Sequence, residues 1–398
     1  MIAWRSPFPV RSWLNWSSFR RGLQTAHLWV GLILSIPLIV IGISGSILML
    51  QFEMPRLGVP HAPGRGEIRS IEEIVAAARA TLRADARITR IGMPIERGEP
   101  ASIRHVAQQQ RDGGGNYGGN IVYVDPVTLE ILGQGFQNRP HWIFGTMRTL
   151  HATLFVQGLS ERSLVGWIGV AMLLLSLSGL VLWWPRHGRW RSAFSIRRGA
   201  RGFVLHHDLH AAFGIWTFAL FIILSVSGIY LSFPRTFRDG VEFILPMGYN
   251  FSPEAEAPAT AGLPPLNLDE AVALTRRFVP DVDPATIQIP NRATEVLVMT
   301  FQPRGYGVGS PTVLVSVDRQ ARSVAYVDDP RAYAIGEQVV IWQRLLHSGL
   351  GLGLIYKLLV FVSGFLPLLF AITGLRMWWL KRVQRRITLP EAVPEIAE

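Results

Sequence analysis

Apolar residues gather into four long runs, separated by segments in which apolar and polar positions change over every few residues. The runs extend from about Ala26 to Leu50, Leu164 to Trp184, Ala211 to Phe233 and Leu354 to Leu380. Each comes close to or exceeds the ~20 apolar residues a helix needs to cross a bilayer. Charge is nearly absent from them; Lys357 and Arg376 stand near the ends of the last, where long side chains reach the interface. The first and third runs share one pattern. His27 and His210 open them, Gly31 and Gly214 stand one helical turn later, and Ser44-Gly45 and Ser227-Gly228 close them. The second and fourth share another, in which LHATLF at His151 leads to Ser178-Gly179 and Trp183-Trp184, and LHSGLG at His347 leads to Thr373-Gly374 and Trp378-Trp379. An internal repeat of this kind predicts an α-helical integral membrane protein built as a pseudo-two-fold four-helix transmembrane bundle. The first run follows Arg20 and Arg21 but is too long for a signal-peptide core. It ends in Gln51-Phe52-Glu53 without a small-residue cleavage pattern, and reads as a retained anchor.

The two long connecting segments carry matched signals of their own. In the first, Ser70 to Arg83 predicts a helix with a Ser cap and Glu73 at capping-box spacing. Strands are expected around Ile88 to Pro94, at Asn120 to Val124 and, past a turn at Asp125-Pro126, through Ile131. The second predicts a helix from Leu268 to Phe278, strands near Thr286 to Pro290, Glu295 to Phe301 and Thr312 to Val317, a turn at Asp318, and a strand at Val324 to Val327. Two small α+β domains follow from this. The Gly-rich stretch from Gly113 to Gly119 lacks the Lys and the strand-to-helix setting of a phosphate loop, and reads as a hairpin tip.

Charge supplies the orientation. The chain of 398 residues has 39 Lys and Arg against 28 Asp and Glu. Arg5, Arg11, Arg20 and Arg21 precede the first run, six arginines from Arg186 to Arg201 fill the short link, and Lys381, Arg382, Arg385 and Arg386 begin the tail. The positive-inside rule makes these regions cytoplasmic and the two mixed-charge segments outer. The expected layout is residues 1–25 cytoplasmic, 26–50 first span, 51–163 outer domain, 164–184 second span, 185–210 basic loop, 211–233 third span, 234–353 outer domain, 354–380 fourth span and 381–398 cytoplasmic tail. So placed, the arginines orient the chain in a lipid bilayer and imply no nucleic acid. Cysteine is absent, which excludes disulfides, thiolate iron–sulfur clusters and thioether-attached heme.

A helix with a small antiparallel sheet ending in the turn Tyr123 to Pro126 resembles the PepSY module. The H-x3-G opening of the first span and the LH…[ST]-G…WW pattern around the second resemble the PepSY-associated transmembrane family over nearly the whole chain. Its four-helix members include bacterial inner-membrane ferric-siderophore reductases with two b-type hemes. The resemblance therefore implies PepSY-like outer domains, an oxidoreductase activity toward a ferric siderophore, and heme as cofactor.

The four matched histidines bear on that expectation. Neutral imidazole is a natural axial ligand for heme iron, and facing helices are a common place to hold one. His27 and His210 are expected to face each other on the cytoplasmic side, with Gly31 and Gly214 leaving room for a flat macrocycle. His151 and His347, on short helices before the second and fourth spans, form the expected outer pair, at the depth of Ser44-Gly45 and Ser227-Gly228. A span of ~20 residues is about 30 Å long, so one heme could not serve both pairs. Taken singly, a histidine at a helix end is more often an interfacial cap, and [ST]-G pairs are common packing elements. His206 and His207 are weaker candidates for the inner iron or a propionate, His141 has Glu337 near its matched place, and His61, His105 and His187 read as solvent-facing. The tryptophan pairs read as an interfacial belt.

No flavin or nicotinamide domain fits in the short cytoplasmic parts, so electrons must come from a quinol or a separate reductase. Two other readings differ in kind. One is a non-enzymatic membrane protein whose outer modules bind an envelope protein or peptide; the other is a permease component, disfavoured by four spans without broken helices or buried charge clusters.

Overall fold

The computed structural model describes residues 16–52, 59–106, 120–136, 141–156, 161–185, 190–248, 264–290, 296–306 and 309–387. Along the chain these form α1 (Trp16–Met49), α2 (Ile71–Arg79), β1 (Arg87–Gly92), β2 (Ala101–Val106), β3 (Asn120–Val124), β4 (Ile131–Phe136), α3 (His141–Thr153), α4 (Glu161–Trp183) and α5 (Trp190–Ala193). The second half gives α6 (Gly202–Trp216), α7 (Phe218–Ser232), α8 (Pro234–Ile244), α9 (Leu268–Phe278), β5 (Val282–Gln288), β6 (Leu297–Pro303), β7 (Val313–Asp318), β8 (Ser323–Asp328), α10 (Ile335–His347), α11 (Gly353–Ser363) and α12 (Leu366–Ile387). They divide into two compact units: Met1–Ser46 with Thr149–Ser232 and Val362–Glu398, and Ile47–Arg148 with Phe233–Phe361.

The first unit is helical. Among the described residues three helices are long and apolar enough to cross a membrane, Trp16–Met49, Ser163–Trp183 and Gly353–Gln384, and α6 with α7 makes a fourth span if the bent pair is counted as one. At most 22% of any of the three apolar windows is buried, as surfaces meant for lipid require. The third apolar run is not the single straight helix expected: it bends by 63° between α6 and α7. At the bend the Thr217 hydroxyl donates to the Phe213 carbonyl at 2.7 Å, a back-bond that favours bending. Within this unit α4 packs on α7 and α6, and α12 on α6. Gly42 and Gly364 meet without side chains; a Cβ on Gly42 would lie 2.3 Å from the Gly364 carbonyl oxygen, so only glycine fits.

In the second unit the two expected modules are not separate. Their strands form one antiparallel eight-stranded sheet in the order β4-β3-β2-β1-β5-β6-β7-β8, joined by pairing of β1 with β5 at Arg90↔Gln288, Ile91↔Ile287 and Gly92↔Thr286. Alternation puts Val313, Val315 and Val317 of β7 on the core face, and the fully buried Ile91, Ile103, Val122, Ile287, Met299 and Phe301 belong to the same hydrophobic core.

Helix α2 begins as the capping-box spacing predicts, with Ser70 Oγ accepting from Glu73 N, and α9, expected only as a helix, carries the same box, with Asn267 Oδ1 accepting from Glu270 N; each has the reciprocal bond. They also cap each other. The Asp269 carboxylate accepts from Ile71 N and Glu72 N at 2.8 and 3.1 Å, while Glu72 accepts from Leu268 N at 2.8 Å. The two turns match as well, with Asp125 accepting from Val127 N and Thr128 N, and Asp318 from Gln320 N and Ala321 N. Strand β2 and helix α8 were not expected from the sequence. The hairpin tip at Gly113 to Gly119 lies outside the described residues.

A histidine pair as the candidate cofactor site

Two helices of the membrane unit bring His27 and His210 together. Helix α1 starts at Trp16 and α6 at Gly202, so both histidines lie inside helices, a correction to the expectation that they open them. Their ring centroids are 6.3 Å apart with planes at 75°. Each Nδ1 sits against a hydroxyl of a facing helix: His27 Nδ1 is 2.8 Å from Ser178 Oγ of α4, and His210 Nδ1 is 2.9 Å from Thr373 Oγ1 of α12. Gly179 follows Ser178, and even a Cβ there would lie only 3.5 Å from His27 Cε1. Phe370 packs edge-on against His210 at 5.1 Å, and Phe221 against Phe370 at 5.9 Å, so one wall of the site is apolar.

The spacing has a chemical meaning. Two metal–imidazole bonds of about 2 Å each, plus the half-width of each ring, add to roughly the observed separation. With Nδ1 of both rings engaged by hydroxyls, Nε2 is the nitrogen each has left for a ligand bond. Among the described residues no group of three or more His, Asp or Glu could hold a bare metal ion, so an ion between these rings needs equatorial donors from elsewhere. The helix surface one turn beyond each histidine is open. A Cβ built on Gly214 or Gly374 meets nothing within 4 Å, and one on Gly31 only Leu175 at 4.0 Å.

His151, near the end of α3, shares this kind of seat. Its Nδ1 lies 2.8 Å from the Ile41 carbonyl oxygen and 3.5 Å from Ser44 Oγ. A Cβ on Gly45 would fall 2.8 Å from its Cε1. His347 closes α10 in the sheet-bearing unit and is half-buried. Among the described residues His206 Nδ1 is buried without a hydrogen-bond partner, whereas His207 is exposed and reaches Asp208 at 3.4 Å. His61 is exposed as expected, and His187 lies outside the described residues. His105 corrects its expectation: it is 8% exposed on the core face of β2, opposite Asn120 of β3. Burial, helped by the Arg79 charge, pushes this imidazole below its ordinary pKa.

One family model, described as the PepSY-associated TM region, matches residues 24–381. The chain belongs to the PepSY-associated TM region family. No curated protein matches it.

Two features of this PepSY-associated TM protein escaped the sequence reading. The [ST]-G pairs, Ser178-Gly179 and Thr373-Gly374 included, were expected at the depth of the histidines, but that three of their hydroxyls lie against imidazoles was not. The other is Asp208, 7% exposed, which takes the Arg197 guanidinium in a fork at 2.8 and 2.8 Å and the Arg197 backbone N–H at 3.2 Å. That fork ties the link before α6 to the helix two residues from His210. The signal available in advance was an acidic residue inside a basic, apolar setting, which demands a cation. Trp183, assigned to an interfacial belt, donates from Nε1 to the Ala193 carbonyl at 3.0 Å and stacks edge-on with Trp190 and Phe194.

Proposed function

We propose that this protein is a heme-dependent reductase of the bacterial inner membrane that passes electrons across the bilayer to the ferric iron of a siderophore. In this reading His27 and His210 would hold one b-type heme, and the sequence repeat assigns His151 and His347 to a second. The arginine-rich segments face the cytoplasm, where a quinol or a separate reductase donates electrons. The observation that carries the reading is the His27–His210 pair, two imidazoles at 6.3 Å between centroids inside a lipid-facing helical unit.

Heme, when bound, supplies one-electron redox chemistry. The chain's own residues hold and shield it. His27 and His210 present their Nε2 atoms, Ser178 and Thr373 orient the rings, and Phe370 and Phe221 keep water from one side. Gly31 and Gly214 leave the helix surface bare where a planar group would pass. The ferric ion of the chelate takes up a single electron, and the ferrous ion, softer and less charged, is held less well by hard oxygen donors. No acid–base residue is required.

The test is a transient one. Purified protein reduced with a stoichiometric reductant, then mixed with a ferric hydroxamate or catecholate, is expected to reoxidise while ferrous iron appears in a ferrous-specific chelator. A reduced protein that stays reduced in the presence of every chelate tried would exclude the activity.

A further inference from the structure

The hydroxyls of three [ST]-G pairs each lie within donating reach of a carbonyl on their own helix, and the one proton of each is taken to go there. Ser178 Oγ donates to the Leu175 carbonyl at 3.0 Å, Thr373 Oγ1 to Leu369 at 2.8 Å, and Ser44 Oγ to Val40 at 2.6 Å. A hydroxyl has one proton, so each offers its surroundings a lone pair. The contacts of Ser178 with His27 Nδ1 at 2.8 Å and of Thr373 with His210 Nδ1 at 2.9 Å are then hydrogen bonds only if Nδ1 carries the hydrogen. His151 reaches the same state by another acceptor. The Ile41 carbonyl, 2.8 Å from its Nδ1, can only accept.

A neutral imidazole has one N–H. Three histidines from three different helices are thereby held with the lone pair on Nε2, the nitrogen that can bond a metal. Burial strengthens the preference, because turning any of these rings over would leave an N–H or a lone pair facing the wrong partner in an apolar setting. Thr373 and Ser44 are each only 1% exposed, so water cannot substitute for the lost bond there.

We propose that Ser178 and Thr373 are positioning residues that fix the tautomer of His27 and His210 and so preset both rings as ligands. The consequence for cofactor affinity rests on the heme reading above; the tautomer does not. A ligand imidazole that donates its second N–H is oriented and made more basic, and loss of such a partner typically costs about 10–100-fold in affinity. The inner pair depends on side chains and is open to substitution, whereas His151 is held by backbone and is not.

The experiment is nitrogen NMR on the full chain, labelled at histidine and prepared without heme in lipid bilayers, with His27→Gln and His210→Gln assigning the signals. Wild-type protein is expected to show both rings protonated at Nδ1 and bare at Nε2. Ser178→Ala should release His27 alone into a tautomer mixture, Thr373→Ala should release His210 alone, and Ser178→Thr and Thr373→Ser should restore each. Heme titration of the same samples should weaken about 10–100-fold in the alanine variants and recover in the hydroxyl swaps. Wild-type rings protonated at Nε2, or alanine variants that keep the wild-type tautomer, would overturn the proposal. The wild-type measurement needs no variant to fold. Nδ1–H rings in a protein that binds no heme would uphold the proposal and sink the reductase reading instead.

Discussion

Asp125 holds its side chain fully buried, and the backbone is why it can. Burial alone pushes its carboxyl up, but N–H groups of Val127, Thr128 and Gly64 and the Thr128 hydroxyl donate to it, and together they set it below the ordinary value. A folded-state pKa lower than the unfolded one stabilises the fold above the ordinary carboxyl range, and that contribution disappears as pH falls through the folded value. Thermal unfolding of the full chain should therefore weaken toward acid, and Asp125→Asn should be less stable at neutral pH by about 1–3 kcal/mol and less sensitive to acid. A variant with the wild-type pH profile would contradict this assignment. Gly45 makes a different demand. A methyl there would collide with the His151 ring 2.8 Å away, so Gly45→Ala should cost about 1–3 kcal/mol and disturb the His151 seat while leaving the His27–His210 pair intact. Separate monitoring of the two sites, by histidine NMR or by heme spectra, checks that division. At this scale the matched histidines and glycines were legible because the repeat printed them twice. The burial of His105 was not, since small and charged neighbours in ASIRHV conceal the alternation of β2.

Helices α2 and α9 show how far local signals reach. The capping box of α2 was read from four residues and formed, and α9 forms the same box at Asn267 and Glu270. The bonds by which Asp269 caps α2 and Glu72 caps α9 could not be read this way, because they join residues almost two hundred positions apart and depend on the two N-termini meeting. An anion at each N-terminus also opposes the partial positive charge there. Asp269→Ala and Glu72→Ala should each cost about 1 kcal/mol. Their double mutant should cost less than the sum if the two N-termini are one structural unit, whereas strict additivity would mean the caps act independently. The bend between α6 and α7 was hidden for the opposite reason. Thr217 lies in an unbroken apolar run, and nothing in hydropathy distinguishes a back-bonding threonine from one facing lipid.

Across the molecule, the repeat correctly announced two matched sets of strands but not their union. Joining them takes only the edge pairing of β1 with β5, where Ile91 and Ile287 face each other fully buried, and no sequence pattern marks which edges will meet. The membrane unit is the same kind of case. Its histidines were recognisable as candidates, yet the seats that turn them into candidate ligands come from serine and threonine residues on other helices. The central claim is that His27 and His210 share one heme iron, and heme content with its optical spectrum tests it most directly. Full-length protein made with sufficient heme should carry two bis-histidine b-type hemes. His27→Ala or His210→Ala should each abolish the same one and leave the other. A protein without a Soret band, or variants at both positions with unchanged heme content, would contradict the account.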